Sequence, residues 1–295
     1  MPELLTTEET ATYLRLSERK LYELVANGAV PCSKVTGRWL FPKAALDRWV
    51  SSGLNASAAL AQAPRPPIIG GSHDPLLEWA LRESGCGLAS LPEGSETGLR
   101  RLSRGEVMAA AIHMHRLEGD DDGANIEAVT HAPGLHDAVV IAFARREQGL
   151  VVAAGNPLQL GDIASALRRG LRVAQRPAGA GAQLLLLSLL SRAGLAAESV
   201  AKPSPLCPTG PDLAQAIRSN RADCGIASRS VARAAGLDFV PLLWERFDLV
   251  LHQRDYFLPG PQALFGFLQS DAFRRQAAEL EGYDVTEVGR VRLVN

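Results

Sequence analysis

The sequence predicts an α/β protein in which a small, mostly helical N-terminal unit precedes a larger unit of alternating strands and helices. Within residues 1–50, apolar residues recur at helical spacing around one short alternating run. Residues 51–66 are rich in Ser, Ala and Pro and lack periodicity, which predicts a linker. Residues 67–295 alternate short apolar runs with amphipathic stretches, a pattern typical of a mostly parallel sheet covered by helices on both faces.

Composition sets the broad class. The 295 residues are 46% hydrophobic with a formal net charge of -1, which excludes both a disordered chain and a polybasic coat. The four cysteines are far apart and form no CxxC pair, so we expect reduced, mostly buried thiols and no metal site. No apolar signal core and no stretch of ~18 apolar residues is present, so we expect a cytoplasmic protein without membrane contact.

The residue pattern of the N-terminal unit predicts the element order helix, turn, helix, hairpin, helix. Thr6 is a hydroxyl cap followed by acidic residues, and Ser17 caps a second helix that ends at Asn27-Gly28. Apolar and polar residues alternate in residues 30–41 on both sides of Thr36-Gly37, which predicts a short hairpin with its turn at these two residues. Pro42 then starts a third helix.

Basic charge is concentrated in this unit. Residues 15–50 carry seven basic and three acidic side chains, a net charge of +4. The arrangement resembles the excisionase-family and MerR-like winged helix-turn-helix domain over nearly all of residues 4–50. The resemblance implies that the second helix enters the major groove of double-stranded DNA and that the wing contacts the flanking backbone. The residues expected to face DNA are Ser17, Arg19, Lys20, Tyr22, Lys34, Thr36 and Arg38. The alternative is a solvated charged face.

In the larger unit, the periodicity predicts two lobes. Lobe 1 comprises about residues 67–144 and 243–295, and lobe 2 about residues 145–242. Near the crossover, the pattern predicts two strands, Val139–Phe143 and Leu150–Ala153, separated by Arg145-Arg146.

Four loops that follow predicted strands lead into helix N-termini. They are Ser72-His73-Asp74, Gly94-Ser95, Gly179-Ala180-Gly181-Ala182 and Thr209-Gly210. Ligands of open α/β sheets bind at the carboxyl ends of strands, and a helix N-terminus favours an anion. Each hydroxyl could equally be a plain N-cap, and Asp74 is expected to be one because a carboxylate would oppose an anion.

Residues from about 149 to 289 resemble the type II periplasmic-binding-protein-like domain found beside helix-turn-helix modules and at the end of some molybdopterin-biosynthesis proteins. The motifs that carry the resemblance are Ala154-Gly155-Asn156-Pro157, Ala174-Gln175-Arg176, Gly179-Ala180-Gly181, Ala222-Asp223-Cys224-Gly225, Gly236-Leu237-Asp238-Phe239-Val240-Pro241-Leu242, Glu245-Arg246-Phe247-Asp248-Leu249-Val250 and Gly282-Tyr283-Asp284.

This resemblance implies a hinged pocket for a small anion such as molybdate, tungstate or a molybdenum-cofactor-related compound. Relatives place Gly-Ser-Gly-Thr-Arg where this chain has residues 179–183, so two hydroxyls and a guanidinium are lost and ligand identity is open. The residues expected to bind ligand are Ser72, His73, Gly94, Ser95, His113, Arg176, Gly179, Ala180, Gly181, Thr209 and Ser228. His73 and His113 could equally be surface or capping histidines.

Catalysis has little support in the sequence. Ser72-His73-Asp74 contains the three residue types of a catalytic triad, but the side chains of adjacent residues point in different directions. We therefore expect no enzyme but a homodimeric transcriptional regulator whose C-terminal domain senses an anion and alters operator binding. The alternatives are an excisionase-like architectural DNA binder with a non-sensing scaffold domain and a molybdenum-cofactor accessory protein.

Overall fold

The computed structural model describes residues 4–34, 37–52, 64–116, 122–200 and 205–295. The chain divides into two compact units, Met1–Pro64 and Arg65–Asn295. None of the helices in these described ranges is long and apolar enough to cross a membrane.

The N-terminal unit has the predicted order of helices. Its elements are β1 (Leu4–Leu5), α1 (Thr7–Tyr13), α2 (Glu18–Ala26), β2 (Phe41–Pro42) and α3 (Lys43–Ser52). Thr6 and Glu9 form a reciprocal capping box at the start of α1, and the Ser17 side chain accepts a hydrogen bond from the Lys20 amide at the start of α2. These caps satisfy amides that the helices themselves leave unpaired.

One small apolar core holds this unit together. Leu21, Phe41 and Leu46 are fully buried, and Trp39 and Trp49 pack against them. The antiparallel bridge between Ser33 and Leu40 closes the predicted hairpin. The pairing of β1 with β2 was not predicted, because two-residue strands leave no periodicity to read.

The larger unit alternates strands and helices as predicted. Its elements are β3 (Ile68–Gly71), α4 (Pro75–Glu83), β4 (Ala89–Pro92), α5 (Ser95–Ser103), β5 (Ala109–Ile112), α6 (Ala124–His131), β6 (Ala138–Val152), α7 (Ile163–Arg168), β7 (Val173–Ala174), α8 (Gly181–Arg192), α9 (Gly210–Arg218), β8 (Cys224–Ser228), α10 (Arg229–Ala234), β9 (Asp238–His252), α11 (Gln253–Tyr256), α12 (Pro259–Leu268), α13 (Asp271–Leu280), β10 (Tyr283–Asp284) and β11 (Val291–Val294).

The sheet is mixed, which corrects the expectation of a mostly parallel one. Its strand order is β4-β3-β5-β9-β6-β8-β7. The flanks β4-β3-β5 and β8-β7 are parallel, but the central pairs β5–β9, β9–β6 and β6–β8 are antiparallel. The two long central strands therefore run through both halves of the unit.

The predicted break at Arg145-Arg146 is also wrong, because β6 is one continuous strand of 15 residues. Residues 145–148 look like a loop because they are charged or polar, yet they pair in register with β9. Arg146 and Gln148 are buried. A strand can bury such residues when other polar groups satisfy them, and no hydrophobic pattern reports this.

Separate apolar cores lie toward the two ends of these strands. Phe143, Phe247 and Phe273 belong to one core, whereas Leu150 and Ile226 belong to another. The polar middle of β6 and β9 lies between them and faces the site described next.

Candidate functional site

A small cleft opens at the middle of β6 and β9, where several strand ends meet. Its cavity volume is about 30 Å³, which is room for two or three water-sized spheres at ~10–15 Å³ each. It therefore fits a ligand of a few heavy atoms. The lining residues are Ser72, His73, Gly94, His113, Arg146, Gln148, Arg176, Ala180, Gly181, Ala182, Gly210, Ala227, Ser228 and Val231.

Loops from opposite walls of this cleft touch directly. The Glu96 amide donates to the Gly179 carbonyl at 3.2 Å. At Gly181, an added Cβ would lie 2.2 Å from both the ring and the carbonyl oxygen of His113, so only glycine allows this approach. The two walls of the cleft are therefore in contact beside its cavity.

Two of the helices that start near the cleft have side-chain caps. Asp74 caps α4 by accepting from the Leu77 amide at 2.9 Å, as expected. Thr209, expected to bind ligand, forms a capping box with Asp212 at the start of α9. Its hydroxyl is occupied, and the next residue, Gly210, lines the cavity instead.

Three others, α5, α8 and α10, start without such a cap. Their N-cap residues, Gly94, Ala180 and Ser228, make no side-chain hydrogen bond to an amide of the first turn. The first-turn amides of a helix lack intrahelical acceptors and carry a partial positive charge. The beginning of α8 thus supplies donors to the cleft without a competing side chain, whereas at the beginning of α5 the Glu96 amide already donates to the Gly179 carbonyl.

Serines join the strand ends on one wall. The Ser72 and Ser95 hydroxyls are 2.8 Å apart, and Ser95 Oγ both donates to the His113 carbonyl and accepts from the His113 amide, each at 3.0 Å. Ser95 is fully buried and fixes α5 to the end of β5, whereas Ser72 lines the cavity.

Arg146 is the centre of a buried polar network. Its guanidinium donates to Asp74 at 2.9 Å, to Glu245 through Nε and to His113 Nδ1 at 2.7 Å. It also lies over the Phe247 ring, 4.1 Å from the centroid. Sequence reasoning missed this residue; the only available signal was an arginine pair inside an otherwise apolar strand pattern.

The network determines which of its side chains are ionised. Burial opposes ionisation of Glu245, but the charge of neighbouring Arg146 and the hydrogen bond with His115 outweigh it and hold its pKa well below the ordinary value. Burial also opposes the charge of Arg146, yet Glu245 and Asp74 raise its pKa. Burial lowers the pKa of His113 well below the ordinary value, so its ring stays neutral.

Arg176 brings a cation to the cleft without a matching anion. Its Nη2 donates to the Pro208 carbonyl at 2.8 Å, and its Nε has no partner among the described residues. Within those residues, no carboxylate oxygen lies within salt-bridge distance of it. Burial lowers its pKa to about 10, so it remains charged at neutral pH.

The ligand atoms of His113, His115 and Glu245 lie within 4.8 Å of one another. The donor types would suit a divalent metal. However, His115 Nε2 is already bonded to Glu245 at 2.8 Å, and the Arg146 guanidinium contacts both His113 and Glu245. A metal cation would be repelled by this buried positive charge, so the cluster is better suited to holding Arg146.

The structure places most of the predicted ligand residues at the cavity. Those that line it are Ser72, His73, Gly94, His113, Arg176, Ala180, Gly181 and Ser228. Ser95, Gly179 and Thr209 lie beside it in supporting roles. Ala182 and Gly210, which belong to two of the four predicted loops, also line it. The lining residues that sequence reasoning missed are Arg146, Gln148, Ala227 and Val231.

The predicted DNA-facing residues that the structure describes are exposed. The Arg19 and Lys20 side chains are 91% and 56% exposed, and both pair with Glu23. Tyr22 is exposed rather than part of the core. Lys34 lies 5.1 Å from the centroid of the Trp39 ring, and Arg38 is exposed. Thr36 lies outside the described residues.

Comparison with known proteins agrees with this geometry. A family model described as "Helix-turn-helix domain" matches residues 4–53, and one described as "PBP superfamily domain" matches residues 78–269. The uncharacterized protein YvgK of Bacillus subtilis is 24% identical over 98% of this chain and 97% of its own. A second uncharacterized protein, encoded in a ferredoxin gene 5' region of Clostridium pasteurianum, is 30% identical over 27% of this chain and 71% of its own.

Solved structures show the same fold at low identity. A putative phosphate transporter substrate-binding protein of Clostridium perfringens, with bound phosphate, is 15% identical, covers 76% of this chain and 99% of its own, and has a TM-score of 0.55. The sulfate-binding protein SubI of Mycobacterium tuberculosis is 14% identical, with coverages of 73% and 84% and a TM-score of 0.50. The chain belongs to the PBP superfamily and carries an excisionase-like helix-turn-helix DNA-binding domain at its N terminus.

Proposed function

We propose that this protein is a DNA-binding transcriptional regulator whose C-terminal domain senses a small anion. The observation that carries the proposal is Arg176, a charged guanidinium that reaches the cleft without a carboxylate partner among the described residues. Arg146 pairs with the carboxylates of both Asp74 and Glu245. Arg176 is therefore the guanidinium of the cleft that could pair with an anionic ligand.

The donors of the cleft support an oxyanion. The uncapped start of α8, where Gly181 and Ala182 line the cavity, offers amides, which favour negative charge. The loop at residues 179–182 lacks hydroxyls, but backbone amides do not depend on side chains. The sequence resemblance favours molybdate, tungstate or a molybdenum-cofactor-related compound, and of these a cavity of about 30 Å³ suits the two oxyanions. A tungstate transporter structure of Geobacter sulfurreducens with a TM-score of 0.50 shares the fold.

Sensing would link closure of the cleft to DNA affinity. We place the DNA-binding domain at residues 1–50, the linker at 51–66 and the hinge of the two lobes near residues 144 and 242. A small winged module reads few base pairs, so a cytoplasmic homodimer with two modules would give useful specificity. Ligand binding would then alter how the two modules are presented to an operator.

A ligand panel on the full-length chain tests the anion proposal. Thermal unfolding is followed with phosphate, sulfate, molybdate and tungstate, because ligand at 100 times its dissociation constant adds about 2.7 kcal/mol of stability. We expect at least one anion to stabilise the wild type. Arg176→Gln should abolish this stabilisation, whereas Arg172→Gln should retain it, since Arg172 pairs with Asp223 at 2.7 Å away from the cavity.

Two results would contradict the proposal. Absence of stabilisation by every anion would favour the non-sensing scaffold. If an anion binds but leaves affinity for a selected DNA duplex unchanged, the sensing role fails and anion binding stands alone.

A further inference from the structure

Gln148 occupies a fixed position in the cleft. It lies on β6 two residues after Arg146, is 2% exposed and lines the cavity. Its Nε2 donates to Glu245 Oε1 at 2.8 Å. Residues two apart on a strand share a face, which explains why Arg146 and Gln148 meet the same carboxylate.

The orientation of this amide follows from its partner. Glu245 accepts from Arg146, an obligatory donor, and its carboxylate is ionised. Turning the Gln148 amide over would place Oε1 against a carboxylate oxygen and lose the hydrogen bond. Oε1 therefore stays directed away from Glu245, and it has no donor among the described residues.

The cleft also offers unpartnered donors. Arg146 can only donate, so His113 Nδ1 accepts and the ring proton lies on Nε2. That Nε2 is buried without an acceptor in the described chain, and the same holds for Arg176 Nε. The cleft thus combines unsatisfied donors with one unsatisfied acceptor, and a buried acceptor left unpaired is costly.

We propose that Gln148 determines specificity by accepting a hydrogen bond from the ligand, so that the site prefers an oxyanion bearing one hydroxyl, such as monohydrogen phosphate. Sulfate, molybdate and tungstate dianions accept hydrogen bonds but cannot donate one, and they would leave Oε1 unpaired. This inference rests on the proposed function and narrows its ligand class.

Titration calorimetry at mildly alkaline pH tests the preference, since phosphate is then the monohydrogen dianion. For the full-length wild type we expect phosphate to bind about 5- to 150-fold more tightly than sulfate, molybdate or tungstate, the ratio that one unpaired buried acceptor implies. This measurement needs no variant. Equal affinities would overturn the role of Gln148 while leaving anion binding intact, whereas no binding of any anion would overturn the proposed function itself.

Variants then test whether Gln148 causes the preference for phosphate. Gln148→Met removes the acceptor at similar length and should lower the phosphate-to-sulfate affinity ratio toward one. Gln215→Met, at an exposed position on α9, should keep the wild-type ratio. Circular dichroism checks that Gln148→Met is folded. A wild-type affinity ratio in the folded variant would show that another group accepts the hydrogen bond from the ligand hydroxyl.

Discussion

Arg146 Nη1 donates to Asp74 Oδ2 at 2.9 Å, although 72 residues separate them and both side chains are almost fully buried. The carboxylate also accepts from Tyr283 at 2.9 Å and caps α4. The Asp74 carboxylate therefore connects the long strand β6 with the start of α4 and, through Tyr283, with the strand β10.

We expect Arg146→Met to destabilise the larger unit strongly. It would leave the carboxylates of Asp74 and Glu245 buried without their cation, and removing one partner of a buried pair costs about 3–5 kcal/mol. Urea unfolding measures the change. Arg145→Met is the matched control, since that neighbouring arginine is exposed and should change stability by no more than about 0.5 kcal/mol. Equal losses in the two variants would contradict a structural role for the pair.

Gly181→Ala should weaken ligand binding by obstructing closure of the cleft. The new Cβ would lie 2.2 Å from the His113 carbonyl oxygen, and backbone cannot move aside as a flexible side chain can. Overpacking of this kind implies about 5- to 150-fold lower affinity for phosphate. Gly161→Ala has no atom within 4 Å of the added Cβ and should bind as the wild type does. Wild-type affinity in Gly181→Ala would argue against the closed form as the binding form.

Stability should fall with acid in two stages. The pKa of His113 is depressed from 6.5, so below that value the unfolded chain takes up a proton that the folded chain excludes. The pKa of Glu245 is depressed from 4.5, so its contribution is present above that value and is lost as pH falls further. Above both values these two groups leave stability independent of pH.

Urea titrations across this range, compared with variants, check the assignment. His113→Gln should weaken the decline that begins near 6.5, to which His73 also contributes because burial lowers its pKa. The exposed control His136→Gln should leave the decline unchanged. An unchanged pH profile in His113→Gln would mean that another group is responsible.

Arg19→Ala and Lys20→Ala should each reduce the salt dependence of DNA binding. If each side chain contacts a phosphate, removing it lowers the slope of log K against log salt by about one. Fluorescence anisotropy with a duplex selected from a random pool measures the slope. The exposed Arg48 on α3 provides the control, and Arg48→Ala should preserve it. Unchanged slopes for both α2 variants would assign these residues to a solvated face.

Local chemistry made much of this molecule predictable. Thr6, Ser17 and Asp74 cap helices as their types and positions indicate. The glycines at 179 and 181 also marked the right loop of the cleft, since a close approach of chains needs residues without a Cβ. Such features depend on a few neighbouring residues, which a sequence shows directly.

The long-range polar contacts were decided only by the tertiary structure. Arg146 and Gln148 look like loop residues in sequence, and their partner Glu245 lies about a hundred positions away. The antiparallel pairing of β6 with β9 brings them together and buries them. Each of these buried groups needs its partner, because a buried polar group without a hydrogen bond is destabilising. The stability of the site therefore depends on contacts between distant segments. No local pattern of residue types encodes these contacts.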